Sequence, residues 1–467
     1  MNKWVVFILV ATGVFMSTLD GSIVNIALPS IMKDLKTSVP VIEWVIAIYL
    51  LTVSSLLLSF GRLSDIKGRR VVYSTGLIFF SLGSFFCGIS PSAEFLIFSR
   101  SIQGLGAAMV MACTPALIVD TFPVEERGKA LGMIGATVAS GLTAGPALGG
   151  LILHYFSWRL IFYINVPIGL ITAFLVFTKL KGSKTDSKQE EPFDFKGSIL
   201  ITLSLILFIL FITKSNLLQG INIKGGVLLI IFVLSVYALI RFENQNMYPV
   251  LNTMMFRNKL FTLPIISAVL LFTCLFITIF LMPFYLMYPM KFSPGKAGFF
   301  MVIPFFFMFV ISPYSGTLAG KKGSKILCTT GMFIITLSLY MISQLNISSS
   351  YYNIAAGMSL LGIGIALFSS PNTVTVMESV SPNERGVAGG IVATARNLGM
   401  VLGVTIGGTV FNHVFFIKSS GKVLENYNPF LENAFFTAFK CSVLTGCLIA
   451  MVGIIISWLR GGKIKRV

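Results

Sequence analysis

Long apolar stretches recur along the whole chain and are separated by short polar segments. A helix needs about 20 apolar residues to cross a bilayer, so each stretch predicts one membrane-spanning helix. This pattern predicts an all-α, polytopic membrane protein with about fourteen transmembrane helices. The predicted spans begin near Val5, Val41, Val71, Glu94, Gly128, Arg159, Phe195, Gly225, Leu260, Ala297, Ile326, Tyr351, Gly386 and Ala434.

The longest internal polar stretch follows the sixth predicted span and divides the chain. It covers residues 181–194 and mixes lysines with acidic residues, as a solvated linker does. Six predicted spans precede it and eight follow, so two spans are additional to a pair of six-helix bundles. We therefore predict an N-terminal six-helix bundle over residues 1–180, a cytoplasmic linker over 181–194, an inserted helix pair over 195–245 and a C-terminal six-helix bundle over 246–467.

Composition and charge placement support a membrane location. The chain is 55% hydrophobic and only 11% charged, whereas a soluble domain carries about 25% charged residues. With the N-terminus in the cytoplasm, the cytoplasmic segments hold more than twice as many Lys and Arg residues as the outer loops. This distribution predicts a multi-pass protein of the cell membrane with both termini cytoplasmic. Basic residues are not interleaved with aromatic ones outside the apolar stretches, so nucleic acid is not an expected partner.

The sequence offers few residues for enzymatic chemistry. Its six cysteines show neither C-x-x-C nor metal-ligand spacing, and its only two histidines, His154 and His413, lie far apart in the chain. A membrane-embedded enzyme acting on lipid would need a nucleophile, a base or a metal clustered near an interface. We therefore expect no enzyme, metal site or cofactor, and the lipid-modifying enzyme is kept only as an alternative.

Isolated charged residues lie inside predicted spans, where a charge costs at least about 2.5–3.5 kcal/mol. Asp20 is in the first span, with Gly13, Ser17 and Gly21 on or beside its helical face. A carboxylate in such a place suits reversible protonation, and a structural hydrogen bond to a neighbouring helix is the alternative. Arg100, in the fourth span, needs an anionic partner or several acceptors, and Asp20 is the obvious candidate. We predict that Asp20 and Arg100 couple transport to protons; structural polar contacts are again the alternative.

The segment after the second predicted span resembles the signature loop of the major facilitator superfamily, G-x-x-x-D-[basic]-x-G-[basic]-[basic]. The matching residues are Gly61, Asp65, Gly68, Arg69 and Arg70. Ile66 stands where the family usually has a basic residue. The resemblance implies a conformational loop that latches the outward-open state by charge pairing between bundles. The alternative is that its arginines only set the orientation in the membrane.

A glycine-rich segment of the fifth span resembles the antiporter motif of the same superfamily, G-x-x-x-G-P-x-x-G-G. The matching residues are Gly141, Gly145, Pro146, Gly149 and Gly150. Small residues four apart share a helix face and allow close packing, and a proline permits a bend. In this family the motif accompanies export by antiport, and an ordinary close-packed helix pair is the alternative.

Two further segments, Leu19–Ser30 and Trp158–Gly169, resemble the fourteen-span drug:proton antiporter branch, which includes multidrug, quaternary-ammonium and tetracycline exporters. The resemblance covers essentially the whole chain. It implies a proton-coupled antiporter that exports small lipophilic, drug-like compounds by alternating access. The expected partners are the small-molecule substrate, protons and the lipid bilayer, and we expect a monomer. A dedicated metabolite transporter is the alternative within transport.

Five residues are predicted to line a substrate cavity. Asn25 lies in the Leu19–Ser30 segment, and Gln103 lies in the segment from Arg100 to Ala108, which resembles the superfamily's fourth-span motif R-x-x-Q-G-x-G-x-A. Phe276 and Phe280 belong to a stripe of phenylalanines four residues apart in the ninth span, which could instead face lipid or pack the bundle. Arg396 is an embedded cation of the thirteenth span that is either structural or contacts anionic groups of the substrate.

The placement of acidic residues predicts which substrate charges are accepted. The tenth and thirteenth spans contain no acid, so a divalent cation would meet only Asp20 as a counter-charge. We therefore expect neutral, zwitterionic or singly charged compounds to be preferred. Glu43 and Asp120, near span ends, would change this expectation if a vestibule reaches them.

Overall fold

The computed structural model describes residues 2–180, 194–214, 223–245, 253–381, 385–425 and 427–460, and the regular secondary structure in these ranges is helical throughout. Two short 3-10 helices, Thr253–Arg257 and Pro429–Leu431, precede α10 and α15. The α-helices are α1 Lys3–Asp34, α2 Val39–Lys67, α3 Arg69–Gly88, α4 Ala93–Thr121, α5 Val124–Tyr155, α6 Leu160–Tyr163, α7 Asn165–Lys179, α8 Phe195–Lys214, α9 Ile223–Gln245, α10 Lys259–Met287, α11 Pro294–Lys322, α12 Ser324–Ser343, α13 Tyr351–Glu378, α14 Arg385–Lys418 and α15 Glu432–Leu459.

The helices agree with the apolar stretches of the sequence. Within the described residues, 13 spans are long and apolar enough to cross a membrane, and α8 contains a shorter apolar helix, Ile199–Ile212. Each predicted span begins within a few residues of a helix. The sixth span, Leu160–Lys179, comprises α6 and α7, and Ile164 at their junction keeps a helical conformation. The predicted all-α, polytopic architecture is confirmed.

Polar side chains mark the starts of several spans. Ser92 accepts a hydrogen bond from the backbone nitrogen of Phe95 at 3.3 Å, and Ser350 accepts one from that of Asn353 at 3.3 Å. Ser293 caps α11 in the same way. Such caps satisfy N–H groups that a helix start leaves without an intrahelical partner.

The chain folds into two units, and α1, α2 and α5 contribute residues to both. The predicted bundle boundaries therefore stay a prediction, and the predicted linker 181–194 lies outside the described residues except for Asp194. Unit 1 comprises Met1–Gly21, Ile48–Leu142 and Arg159–Thr253, and unit 2 comprises Ser22–Ala47, Thr143–Trp158 and Met254–Val467.

In unit 1, α3 and α4 pack so closely at their glycines that no side chain would fit there. A Cβ atom added to Gly83 would lie 2.5 Å from the backbone nitrogen of Gln103. One added to Gly106 would lie 2.5 Å from the carbonyl oxygen of Gly76. Real Cβ atoms do not approach other atoms so closely, so α3 fixes the position of α4 at the level of Gln103.

In unit 2, α10 is a central helix in which every residue from Leu271 to Leu286 is buried. It packs against α14 through the glycines of that helix. A Cβ atom added to Gly399 would lie 2.5 Å from the carbonyl oxygen of Val269, and one added to Gly403 would lie 2.5 Å from that of Thr273. Small residues thus allow the two backbones to approach closely.

Candidate functional site

Asp20 and Arg100 meet inside unit 1. Their side chains are 0% and 1% exposed, on α1 and α4 respectively. The Nη1 atom of Arg100 donates a hydrogen bond to Oδ2 of Asp20, and the two side chains form an ion pair. An ion pair that is removed from water is retained only with good geometry and further hydrogen bonds. The structure therefore brings together the two residues predicted to couple transport to protons.

Gln103 lies one turn after Arg100 on α4 and forms hydrogen bonds with both residues of the ion pair. Its Nε2 donates to Oδ1 of Asp20 at 2.8 Å and to Oγ of Ser84 at 2.7 Å. Its Oε1 accepts from Nη1 of Arg100 at 2.5 Å. Because the amide donates to the carboxylate and accepts from the guanidinium, its orientation is fixed by both charges. The sequence had assigned Gln103 to the substrate cavity, and the structure places it in the Asp20 network.

Asn165 contacts Asp20 from the sixth span. Its Nδ2 lies 3.3 Å from Oδ1 of Asp20 and 3.5 Å from the carbonyl oxygen of Ile161. Asn165 is the first residue of α7. Its Oδ1 is buried without a hydrogen-bond partner among the described residues. An amide can donate or accept, so Asn165 suits both the charged and the neutral form of Asp20.

Two aromatic rings also hold Arg100. Its guanidinium carbon lies 4.1 Å from the ring centroid of Tyr49 and 5.9 Å from that of Phe162. The Tyr49 hydroxyl in turn donates to the carbonyl oxygen of Ser17 at 2.9 Å, one turn before Asp20. A cation over an aromatic face is stabilised by the ring quadrupole. Arg100 therefore keeps contacts that do not depend on the charge of Asp20.

The predicted conformational loop lies at the junction of α2 and α3. Gly68 separates the helices with φ +91°, a left-handed conformation that favours glycine. Arg69 forms ion pairs with Asp65, at 3.1 Å, and with Asp120 at the end of α4. It also donates to the carbonyl oxygen of Ala116 at 3.2 Å. These contacts tie α2, α3 and α4 together within unit 1, and the latch between bundles stays a prediction.

Arg70 and Gly61 have different surroundings. Arg70 donates to the carbonyl oxygen of Leu180 at 3.0 Å, and its guanidinium carbon lies 4.8 Å from the ring centroid of Phe177. It therefore joins the start of α3 to the end of α7. Gly61 lies within α2, and a Cβ atom added there would meet no heavy atom within 4 Å. The glycine of the motif that serves the turn is thus Gly68.

The antiporter motif packs α5 against α1. In unit 1, Gly141 lies against Thr18 and Leu19, directly before Asp20. In unit 2, Gly145 lies against Ser22 and Ile23. The motif therefore packs against α1 immediately before and after Asp20.

The other face of the motif contacts α11. Gly149 lies against Ile23 and Ile26 of α1, whereas a Cβ atom added to Gly150 would lie 2.7 Å from the carbonyl oxygen of Pro294. The carbonyl oxygen of Pro146 lies against Gly298 of α11. Within unit 2, the motif thus packs α5 between α1 and α11.

The remaining predicted cavity residues do not join the Asp20 network. Asn25 is buried, and its Nδ2 donates to the carbonyl oxygen of Ser22 at 3.3 Å. Phe276 and Phe280 are buried in α10, where Phe276 packs against Gly403 of α14. Arg396 is partly exposed on α14. The assignment of these four residues to a substrate cavity stays a prediction.

Sequence reasoning missed Asn165, Tyr49 and Ser84 as parts of this site. Asn165 lies within the segment that resembles the drug:proton antiporter branch. An amide inside a predicted apolar span was therefore the available signal. Tyr49 and Ser84 carried no signal, because such residues are common in membrane helices.

A polytopic helical fold with an ion pair buried inside its membrane-spanning helices is typical of membrane transporters. The chain belongs to the Major Facilitator Superfamily, whose family model matches residues 10–404. This membership confirms the predicted superfamily.

The relatives with named functions include a transporter of one vitamin and a multidrug resistance protein. The chain is 37% identical over 419 residues to the riboflavin transporter RibZ of Clostridioides difficile, covering 90% of this chain and 89% of RibZ. It is 30% identical over 414 residues to the multidrug resistance protein Stp of Mycobacterium tuberculosis, covering 88% of this chain and 76% of Stp. The fold is shared with a bacterial homologue of the human lysosomal transporter Spinster, which was solved in an inward-facing, unoccupied conformation. The TM-score is 0.70 at 15% sequence identity, and the match covers 98% of this chain and 96% of that homologue.

Proposed function

We propose that this protein exports small amphipathic, drug-like compounds across the cell membrane in exchange for protons, by alternating access. The observation that carries the proposal is a carboxylate at 0% exposure in α1, held by donors from α4 and α7. An ionisable group inside a membrane span is expensive to bury and is usually functional. The similarity to a multidrug resistance protein and the antiporter motif support the direction of transport.

The geometry suggests how a proton would act. Protonation of Asp20 removes the negative charge that Arg100 pairs with. Arg100 then still contacts the Gln103 carbonyl and the Tyr49 ring, so its charge is not left without partners. Neutral Asp20 becomes a donor, and rotation of the Asn165 amide would offer Oδ1 as its acceptor. The network can thus hold both protonation states, which an antiporter requires.

Topology and assembly are part of the same proposal. The excess of Lys and Arg in alternate loops supports cytoplasmic termini. The Asp20 network uses side chains of one chain, so a monomer suffices to build it.

A second candidate is a dedicated transporter of a metabolite of the riboflavin class. Identity of 37% over 90% of this chain to a riboflavin transporter favours it. The two candidates share the proposed coupling site and differ in substrate range.

Inverted membrane vesicles with an acidic lumen test the coupling. Riboflavin, fluorescein and rhodamine 123 serve as fluorescent substrates, and we expect at least one to accumulate as protons leave. The Asp20→Asn variant should lose accumulation driven by the pH gradient, because it cannot exchange a proton. Asp34→Asn is the matched control, since Asp34 ends the same helix and an amide can still accept from Nε1 of Trp158. Accumulation by Asp20→Asn at the wild-type rate would disprove the coupling role.

A further inference from the structure

Arg396 is a cation deep in α14 for which the described residues supply no anionic partner. It lies about 16 Å along the helix from its first residue, Arg385. A guanidinium at this depth is costly unless it faces a polar space or a bound group. The side chain is partly exposed, whereas its Nε atom is buried without a hydrogen-bond partner in the described part of the chain.

The helices that pack against α14 offer no acid at this level. α10 and α14 contain no Asp or Glu. Glu378 is the last residue of α13, and Glu432 is the first residue of α15. Glu43 of α2 lies against Gly408, about 18 Å further along α14 than Arg396. The positive charge of Arg396 is therefore not balanced locally by a described side chain.

The surroundings of Arg396 follow from the packing of α14 on α10. Gly399 contacts Val269 and Gly403 contacts Thr273, so the two helices run in the same direction. Arg396, one turn before Gly399, is level with the turn of α10 that precedes Val269. Asn372 of α13 reaches that part of α10, because its Nδ2 donates to the carbonyl oxygen of Pro264 at 3.2 Å.

Several polar atoms in this region lack partners. Asn372 and Asn397 are 2% and 4% exposed. Oδ1 of Asn372, Nδ2 of Asn397 and Oγ1 of Thr394 are buried without hydrogen-bond partners among the described residues. Folded proteins rarely leave buried polar groups unsatisfied. Asn372 reaches α10 near the level of Arg396, whereas Thr394 and Asn397 lie on other faces of α14. A buried polar atom without a partner near the level of an unbalanced cation is consistent with a place that a polar ligand group occupies.

We propose that Arg396 binds an anionic group of the substrate, so that this transporter accepts amphipathic organic anions with a carboxylate or phosphate on an apolar ring system. The planar guanidinium presents paired N–H donors that match carboxylate and phosphate oxygens. Asn372, whose amide reaches α10 at about the same level, supplies a neutral hydrogen-bonding group in this part of the bundle. The inference rests on the proposed function, because it names the substrate class of that transporter.

Equilibrium binding to purified protein tests the proposal without any pH gradient. Fluorescein, an anion, and rhodamine 123, a cation on the same three-ring scaffold, are the probes, and fluorescence anisotropy is the readout. Arg396→Gln should weaken fluorescein binding about 10- to 100-fold, as expected for loss of a charged hydrogen-bond donor. Rhodamine 123 binding should be unchanged or tighter. Arg396→Lys should keep part of the fluorescein affinity, because it keeps the charge but loses the paired donors.

Lys440→Gln is the charge-matched control, since it removes one positive charge from α15, where Lys440 donates to Gln344 at 3.3 Å. It should leave the binding of both dyes unchanged. Equal weakening of both dyes by Arg396→Gln would assign Arg396 a structural role and overturn the proposal. Tighter binding of rhodamine 123 than of fluorescein by the wild-type protein would overturn it as well. Either result leaves proton coupling standing, because the Asp20→Asn vesicle experiment tests that separately.

Discussion

Gly145→Ala should strain the contact between α5 and α1 next to Asp20. The added Cβ would lie 2.8 Å from Cβ of Ser22 and 2.9 Å from the backbone nitrogen of Ile23. A backbone atom cannot rotate away, so the helices must move apart. Overpacking of this kind costs about 1–3 kcal/mol. The higher helix propensity of alanine offsets up to about 1 kcal/mol, which leaves a net destabilisation of about 0–2 kcal/mol.

Gly135→Ala is the matched control on the same helix. A Cβ atom added to Gly135 would meet no heavy atom within 4 Å, so this variant should only gain helix propensity. Thermal unfolding of both purified variants compares their stability, and vesicle transport compares their turnover. Strain of about 1–2 kcal/mol on one conformation changes its population about 5- to 30-fold, so turnover of Gly145→Ala should change measurably.

A second substitution, Ser22→Gly, tests the same contact from α1. It removes the nearest side chain, so Gly145→Ala should cost less stability in the Ser22→Gly background than in the wild-type protein. Full recovery is not expected, because the backbone nitrogen of Ile23 remains. If Gly145→Ala and Gly135→Ala unfold at the same temperature and transport at the same rate, the close contact has no energetic role.

Two further predictions concern the loop between α2 and α3. Asp65→Asn and Asp120→Asn each remove one carboxylate from Arg69, and both carboxylates are partly exposed, so each should cost at most about 1 kcal/mol. Turnover should fall modestly in each and further in the double variant; an unchanged double variant would leave these charges with no role in the conformational cycle. Gly68→Ala should lower thermal stability by about 1–2 kcal/mol, because φ there is +91°. Gly61→Ala, in open space within α2, should be neutral or stabilising, and equal behaviour of the two variants would contradict the assigned turn geometry.

The spans could be predicted because their signal is local. Each needs only enough consecutive apolar residues, and all fourteen predicted starts lie within a few residues of the start of a helix. Leu160–Lys179 is predicted as one span and forms one membrane-crossing helix, α6 with α7. Pro167 has no N–H to donate to the carbonyl oxygen of Tyr163, so the sequence also indicates where one backbone hydrogen bond of this helix is absent.

The composition of the Asp20 network could be predicted only in part. Asp20 and Arg100 were conspicuous as charges in apolar helices, and two opposite charges have an obvious reason to meet. Gln103 and Asn165 are neutral, and their contacts with Asp20 join residues far apart in the chain. Helical periodicity shows which face a residue occupies and not which helix lies opposite. Close packing of α3 on α4 at Gly83 decides the position of Gln103, and no sequence pattern reports it.

Glu43 is a buried acid that bears on the expected preference against divalent cations, because that expectation counted Asp20 as the single counter-charge. It is 3% exposed, with its carboxylate against Gly408, a residue that also adjoins Phe280. A divalent cation therefore has a second candidate carboxylate besides Asp20. Yet Arg396 lies about 18 Å nearer the start of α14. The loop charges predict that the start of α14 is cytoplasmic, so we expect a substrate that leaves the cytoplasm to meet the Arg396 guanidinium before the Glu43 carboxylate. The Coulomb repulsion between Arg396 and a divalent cation is twice that for a monovalent cation, so we still expect divalent cations to be disfavoured and anions to be favoured.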